Sequence, residues 1–217
     1  MVVKATAKVF VPSVLLCGLK ILRQAYGMSE SKSRLNVFVA LLRGVNVGGK
    51  NMISMSSLKE SFEAMGFKHV TTYINSGNII FKTKEGDARK LERRIEQMLS
   101  RDYQLESKVV VRSLPEMAKL LESLPRSWNV DSSRRYNVMF LRHSIDSEKI
   151  LAELPAKSDV EEVLYRPGTL LWSAQVSQLS QTIFLKLSSR KIFQDMTVRN
   201  LNTTKKLYDL MKKIAET

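Results

Sequence analysis

The stretch "SGNIIF" at residues 76–81 has a counterpart in "PGTLLW" at residues 167–172, with a glycine, a polar residue and three apolar positions in the same order. The two glycines, Gly77 and Gly168, lie 91 positions apart. A second echo falls at nearly the same interval: "VRSLPEM" at 111–117 matches "VRNLNTT" at 198–204, 87 positions further on. Two matched pairs in one order indicate an internal duplication, and two units are too few for a solenoid. Both members of the first pair read as the turn and second arm of a hairpin, and both members of the second as a strand running into a helix.

Working outward from these anchors, short β-branched runs alternate with helical patterns. The first half reads as strand "NVFVALL" from Asn36, helix 55–65, strand "HVTTYI", turn "NSG", strand "NIIFKT", helix 88–101, strand "KVVVRS" and helix 115–124. The second reads as strand "RRYNVMFLR", helix 147–154, strand "VEEVLY", turn "RPG", strand "TLLWSA", helix 179–192, strand "MTVRN" and helix 203–213. Each half has the β-α-β-β-α-β order of the ferredoxin-like split arrangement, followed by one further helix. The expected fold is α+β: two such units, 36–124 and 136–214, joined by a linker at 125–135 and packed as one compact body. Units this small expose apolar faces unless they pack together, which predicts a shared core and a groove between the halves.

The chain of 217 residues carries 35 Lys and Arg against 21 Asp and Glu, a formal charge of +14. Such a balance attracts anions, nucleotides or nucleic acid, although a basic surface alone specifies none of them. A single cysteine, Cys17, excludes an intramolecular disulfide and a thiolate metal centre, and the cytoplasm is the expected compartment. Residues 1–35 read as a weakly structured or amphipathic extension: the apolar run "VFVPSVLLCGLKIL" is broken by Pro12 and Ser13 and meets Lys20 well short of the roughly 20 residues of a membrane span. No stable membrane partner is expected. Met28, opening "MSESKSRLNVFV", also reads as a protein start.

Three polar segments sit at strand ends. In "RGVNVGGKNM", 43–52, Gly44 through Lys50 fits G-x-x-x-x-G-K, but Asn51 stands where a magnesium-binding hydroxyl belongs, and no strand ends in the acidic residue a nucleotide hydrolase needs. What remains is either a structural turn or an anion niche. In the niche, Arg43 and Lys50 supply charge, Asn46 supplies orientation, and Gly44, Gly48 and Gly49 let backbone amides approach. The following helix is expected to start near Ser54 to Ser57, with Ser57 and Glu60 as a capping box. The turn around Gly77 offers Ser76 and Asn78, and "TVRNLNTT" offers Arg199 and Asn200, with Asn202 or Thr203 as the helix cap.

Other chemistry is thin. His69 and His143 read as turn and strand-exit residues, no metal-ligand spacing occurs, and Ser188-x-x-Lys191 lacks its companion motifs. Glu60, Glu63, Glu161 and Glu162 read as solvated carboxylates, so neither a nucleophile nor a general base can be selected. Nucleic-acid association has weaker support. Tyr73, Phe81, Tyr165 and Trp172 are strand aromatics without the clustering of an RNA-binding sheet, and Arg134, Arg135, Arg142 and Arg190 are scattered cations.

The blocks "VFVALLRGVNVGGKNMISMSSLKESFEAMGF", "VTTYINSGNIIF" and "TVRNLNTTKKLYDL" resemble a bacterial family, domain of unknown function 1697, over approximately Asn36 to Lys213. The resemblance implies a duplicated α/β protein and brings no reaction or cofactor with it. The positions matching its recurrent polar motifs are Arg43, Gly44, Asn46, Gly48, Gly49 and Lys50, then Ser76, Gly77 and Asn78, then Arg199, Asn200, Asn202 and Thr203. The functional expectation is binding of an anionic small ligand or nucleotide-like group at a polar cleft, with nucleic-acid association and an enzyme of unassigned reaction as alternatives.

Overall fold

The computed structural model describes residues 35–46, 52–128, 131–154, 156–157, 159–187 and 190–217. The expected extension at 1–35 therefore lies outside the described residues except for Leu35, as do Gly48, Gly49, Lys50 and Ser188. Leu35–Thr217 form one compact unit.

The first half runs β1 (Asn36–Leu42), α1 (Met55–Ala64), β2 (Lys68–Thr72), β3 (Asn78–Thr83), α2 (Ala88–Tyr103), β4 (Val109–Ser113) and α3 (Leu114–Glu122). The second runs β5 (Arg134–Leu141), β6 (Glu161–Arg166), β7 (Thr169–Gln175), α4 (Ile183–Leu187), β8 (Met196–Asn200) and α5 (Leu201–Glu216). The sheets have orders β2-β3-β1-β4 and β6-β7-β5-β8, and all pairs are antiparallel. The duplicated ferredoxin-like arrangement is thus present in both halves.

Strand β1 is a continuous apolar run because it is buried on both faces, the pattern of a strand covered twice. Phe38, Ala40 and Leu42 meet α1 and α2 in an outer core with Leu58, Phe62, Leu91 and Ile95. Phe67 stacks on Phe81 at 4.4 Å within that core. The alternate residues Val37, Val39 and Leu41 face a central core shared with Val138, Phe140 and Leu171 of the second sheet and with Met117, Leu120, Leu207 and Met211 of α3 and α5. A third cluster, around Trp172, Met139 and Leu170, backs the second sheet. Trp128, in the linker, is buried against Tyr136 at 5.2 Å, so the linker helps close the central core.

Local chemistry sets most helix starts. The N-cap of α1 is Ser54, whose side chain accepts from the Ser57 amide at 3.4 Å, so the cap lies one turn before the Ser57–Glu60 box expected from sequence. Asp87 caps α2, and Ser113 with Glu116 forms a reciprocal capping box on α3.

The second half departs from its expected helices. Residues 148–153 form a 3-10 turn, and the span expected as a helix at 179–192 breaks into the short 3-10 pieces Val176–Gln181 and Lys191–Asp195 on either side of α4. One cause is visible at the break. The Glu161 carboxylate accepts from the Ile183 amide at 2.8 Å, and the Thr182 hydroxyl donates back to Leu179 O at 2.8 Å, so the turn is closed by side chains. Glu161 is 3% exposed and also accepts from the Trp172 indole at 2.7 Å. Its reading as a solvated edge carboxylate is corrected: position alternation alone does not reveal that an indole and a free amide wait on the inner face.

Candidate functional site

The end of β1, the β2–β3 turn and the end of β8 converge on one side chain. Arg199 donates from Nη2 to Leu42 O at 2.9 Å, to Ser76 O at 2.9 Å and to Gly77 O at 3.3 Å, and from Nε to the Asn78 Oδ1 at 2.5 Å. Asn78, fully buried, is itself oriented by donating to Tyr73 O and to the Ser76 hydroxyl. The Arg199 guanidinium is turned inward, and burial pushes its pKa down to about 10. It remains a cation at neutral pH, held by neutral oxygens.

The remaining sequence-selected residues go elsewhere. Asn46, at φ 54°, closes its own loop by donating to Ile53 O at 2.9 Å and accepting from the Ile53 amide at 2.7 Å. At Gly44, with φ +69°, an added Cβ would meet nothing within 4 Å. The Arg43 guanidinium lies 5.1 Å from the centre of the Phe193 ring, a contact between the two halves. Asn200 is the N-cap of α5: its side chain accepts from the Asn202 amide at 2.9 Å and donates to Tyr136 O. The capping role expected of Asn202 or Thr203 thus belongs to Asn200, because the helix starts at Leu201. Asn200 and Asn202 line a separate hollow of about 400 Å³ with Arg134 and Arg135.

The duplication repeats the Arg199 arrangement with one change. Arg112, 4% exposed at the end of β4, donates from Nη2 to Leu141 O and to Gly168 O at 2.9 Å, and from Nη1 to Val111 O. Leu141 and Gly168 correspond to Leu42 and Gly77, and the two glycine carbonyls also accept from the Leu141 and Leu42 amides. At the position of Asn78 stands Thr169, which is 2% exposed and whose hydroxyl has no hydrogen-bond partner. Among the described residues no oxygen accepts from the Arg112 Nε. Burial also lowers the Arg112 pKa, opposed by the more distant Glu116, Glu92 and Asp146.

Arg112 and Thr169 line a cleft of about 410 Å³ between α3 and the β6–β7 hairpin. Its walls include Met117, Leu120, Phe140 and Pro167, and Lys119, His143 and Arg166 stand among its polar residues. The two carboxylates present are engaged: Asp146 accepts from the Gly168 amide at 2.7 Å and the Tyr165 hydroxyl at 2.9 Å, and Glu116 from the Ser113 amide at 2.7 Å. Sequence reasoning missed this cleft. Its signal lay in the repeat itself, since the 87-residue echo puts Arg112 opposite Arg199, and the 91-residue echo puts Thr169 opposite Asn78.

Fold and geometry together define a duplicated ferredoxin-like α+β protein whose halves are joined by a reciprocal pair of inward-turned arginines. The chain belongs to the family described as "Protein of unknown function (DUF1697)", which matches residues 35–172. It is similar to a conserved bacterial protein from Streptococcus pneumoniae of solved structure, at 26% identity and a TM-score of 0.73, over 82% of this chain and 99% of that one. No curated protein matches the chain. Among the described residues no group of three or more His, Cys, Asp or Glu could hold a metal ion, and no helix is long and apolar enough to cross a membrane.

Proposed function

We propose that this protein binds a small anionic ligand, a carboxylate or a nucleotide-like phosphate carrying an apolar body, in the cleft between α3 and the β6–β7 hairpin. The observation that carries the reading is the buried cation Arg112, which meets only neutral backbone oxygens while lining an accessible cleft. A guanidinium without a carboxylate partner favours an anion, and low surrounding polarity strengthens that attraction. The volume of about 410 Å³ falls in the range of small-molecule sites, and Met117, Leu120 and Phe140 offer an apolar wall. Lys119, exposed and without an ion pair among the described residues, adds positive charge at the rim. The single cysteine fits a cytoplasmic setting for this activity.

Calorimetry with inorganic phosphate, adenosine monophosphate, benzoate and citrate tests the reading. At least one should bind, and Lys119→Glu should weaken it by about three- to tenfold, as expected for a reversed rim charge. Absence of binding across the panel overturns it.

A second reading rests on α2, where Arg89, Lys90, Arg93, Arg94 and Arg101 are exposed. Such a row suits phosphates of a nucleic acid, and binding through it would weaken steeply with salt. Failure to retain single- or double-stranded probes at low salt removes this alternative.

A further inference from the structure

The two halves of the duplication treat the same arginine differently. The Nε of Arg199, which reaches from the second half into the first, is satisfied by Asn78 Oδ1 at 2.5 Å. The corresponding Nε of Arg112, which reaches from the first half into the second, has no acceptor among the described residues, and the shorter Thr169 leaves its own buried hydroxyl unpaired beside the cleft. A buried hydroxyl left unpaired is costly, and beside a guanidinium N–H that also lacks an acceptor it discriminates for a group that satisfies both. We infer that the cleft ligand supplies to Arg112 and Thr169 the oxygen that Asn78 supplies to Arg199, so that the chain holds one ligand site and one internally filled copy of it. This inference rests on the reading of the cleft given above. The oxygen in question is a carboxylate or phosphate oxygen, because among the described residues no carboxylate is in ion-pair contact with the guanidinium it meets. The body attached to it lies against Met117, Leu120 and Phe140.

The test uses the whole chain labelled with nitrogen-15, with benzoate and adenosine monophosphate as probes and the two arginine Nε–H resonances as readout. In the free protein the Arg199 Nε–H should resist exchange with water, and the Arg112 Nε–H should not. A probe should shift Arg112 and leave Arg199 unmoved. Thr169→Asn should protect the Arg112 Nε–H and weaken the probe by about tenfold or more, since the protein then carries its own acceptor. Thr169→Val removes the hydroxyl without filling the cleft and should weaken the probe by about fivefold. Probe binding that survives both substitutions unchanged, or that shifts Arg199 equally, overturns this inference while leaving ligand binding at the cleft standing. Absence of binding by every probe overturns the binding reading first, and this one with it.

Discussion

Arg112 and Arg199 form a reciprocal clasp: each leaves the last strand of one half and donates to the paired carbonyls, Leu141 with Gly168 and Leu42 with Gly77, of the other. Arg199→Ala would strand several buried oxygens at once, and should lower stability by about 3–5 kcal/mol. Arg199→Lys should recover little, because one ammonium cannot reproduce a planar fork reaching Leu42, Ser76 and Asn78 together. Urea denaturation measures both; a loss within 0.5 kcal/mol (roughly the background for surface changes) would show that the clasp does not hold the halves.

Two glycines separate conformational strain from steric conflict. Gly77 has φ +67°, and a Cβ there would lie 2.8 Å from the Leu42 Cβ, whereas Gly44 has φ +69° with nothing within 4 Å. Gly44→Ala should cost about 1 kcal/mol from the left-handed backbone alone. Gly77→Ala should cost about 2–4 kcal/mol, because the β1 end must also move. Equal thermal shifts for the two variants would contradict this account.

Asn46 holds the loop after β1 with both ends of its amide at Ile53. Asn46→Ala loses both bonds and places an alanine at positive φ, with an expected cost of about 2 kcal/mol. Asn46→Gly keeps the backbone relaxed but loses the same bonds, so it should recover about half. Limited proteolysis should show new cleavage between residues 43 and 53 in both variants, and an unchanged pattern would argue that the loop is held by other contacts.

Glu92 provides a pH signature. Burial raises its pKa above the ordinary value, against the lowering influence of the Val111 amide it accepts from and of Arg142, Arg112 and His143 nearby. A carboxyl group whose folded pKa exceeds its unfolded one binds more protons in the native state, so its contribution to stability falls as pH rises from the unfolded value through the folded one. Glu92→Gln keeps an oxygen for the Val111 amide and carries no charge. It should be more stable than the parent at neutral pH, with the difference shrinking towards pH 4.5 (about the ordinary carboxyl value). A pH-independent difference in melting temperature would refute the assignment.

Among the described residues Thr197 carries the other buried hydroxyl without a partner, and it pairs with Phe140 across β5 and β8. Thr197→Val should stabilise the protein by about 1 kcal/mol, since the unpaired hydroxyl is removed at constant shape. Because Thr197 is not among the cleft-lining residues, ligand binding should be unaffected, which separates it from Thr169. Destabilisation on melting would point to a hydrogen bond that the fold conceals.

The sequence by itself determined what short-range physics determines. Short β-branched and apolar runs and period-3.6 patterns placed β1 through β8, α1 through α3 and α5, and the paired echoes at Gly77 and Gly168 revealed the duplication, because a repeated turn repeats its residue types wherever it occurs. The family resemblance followed from the same local blocks. Tertiary structure decided the roles of the polar residues. Arg199 and Asn78 are 121 positions apart, so nothing in either neighbourhood says that the guanidinium chosen for a ligand is satisfied inside the protein. The break in the helix expected at 179–192 depends likewise on Glu161, 22 positions before the amide it captures. Hydrogen-bond satisfaction is a property of the assembled fold, and it is there that the exchange of Asn78 for Thr169 leaves one arginine satisfied within the chain and the other facing a cleft.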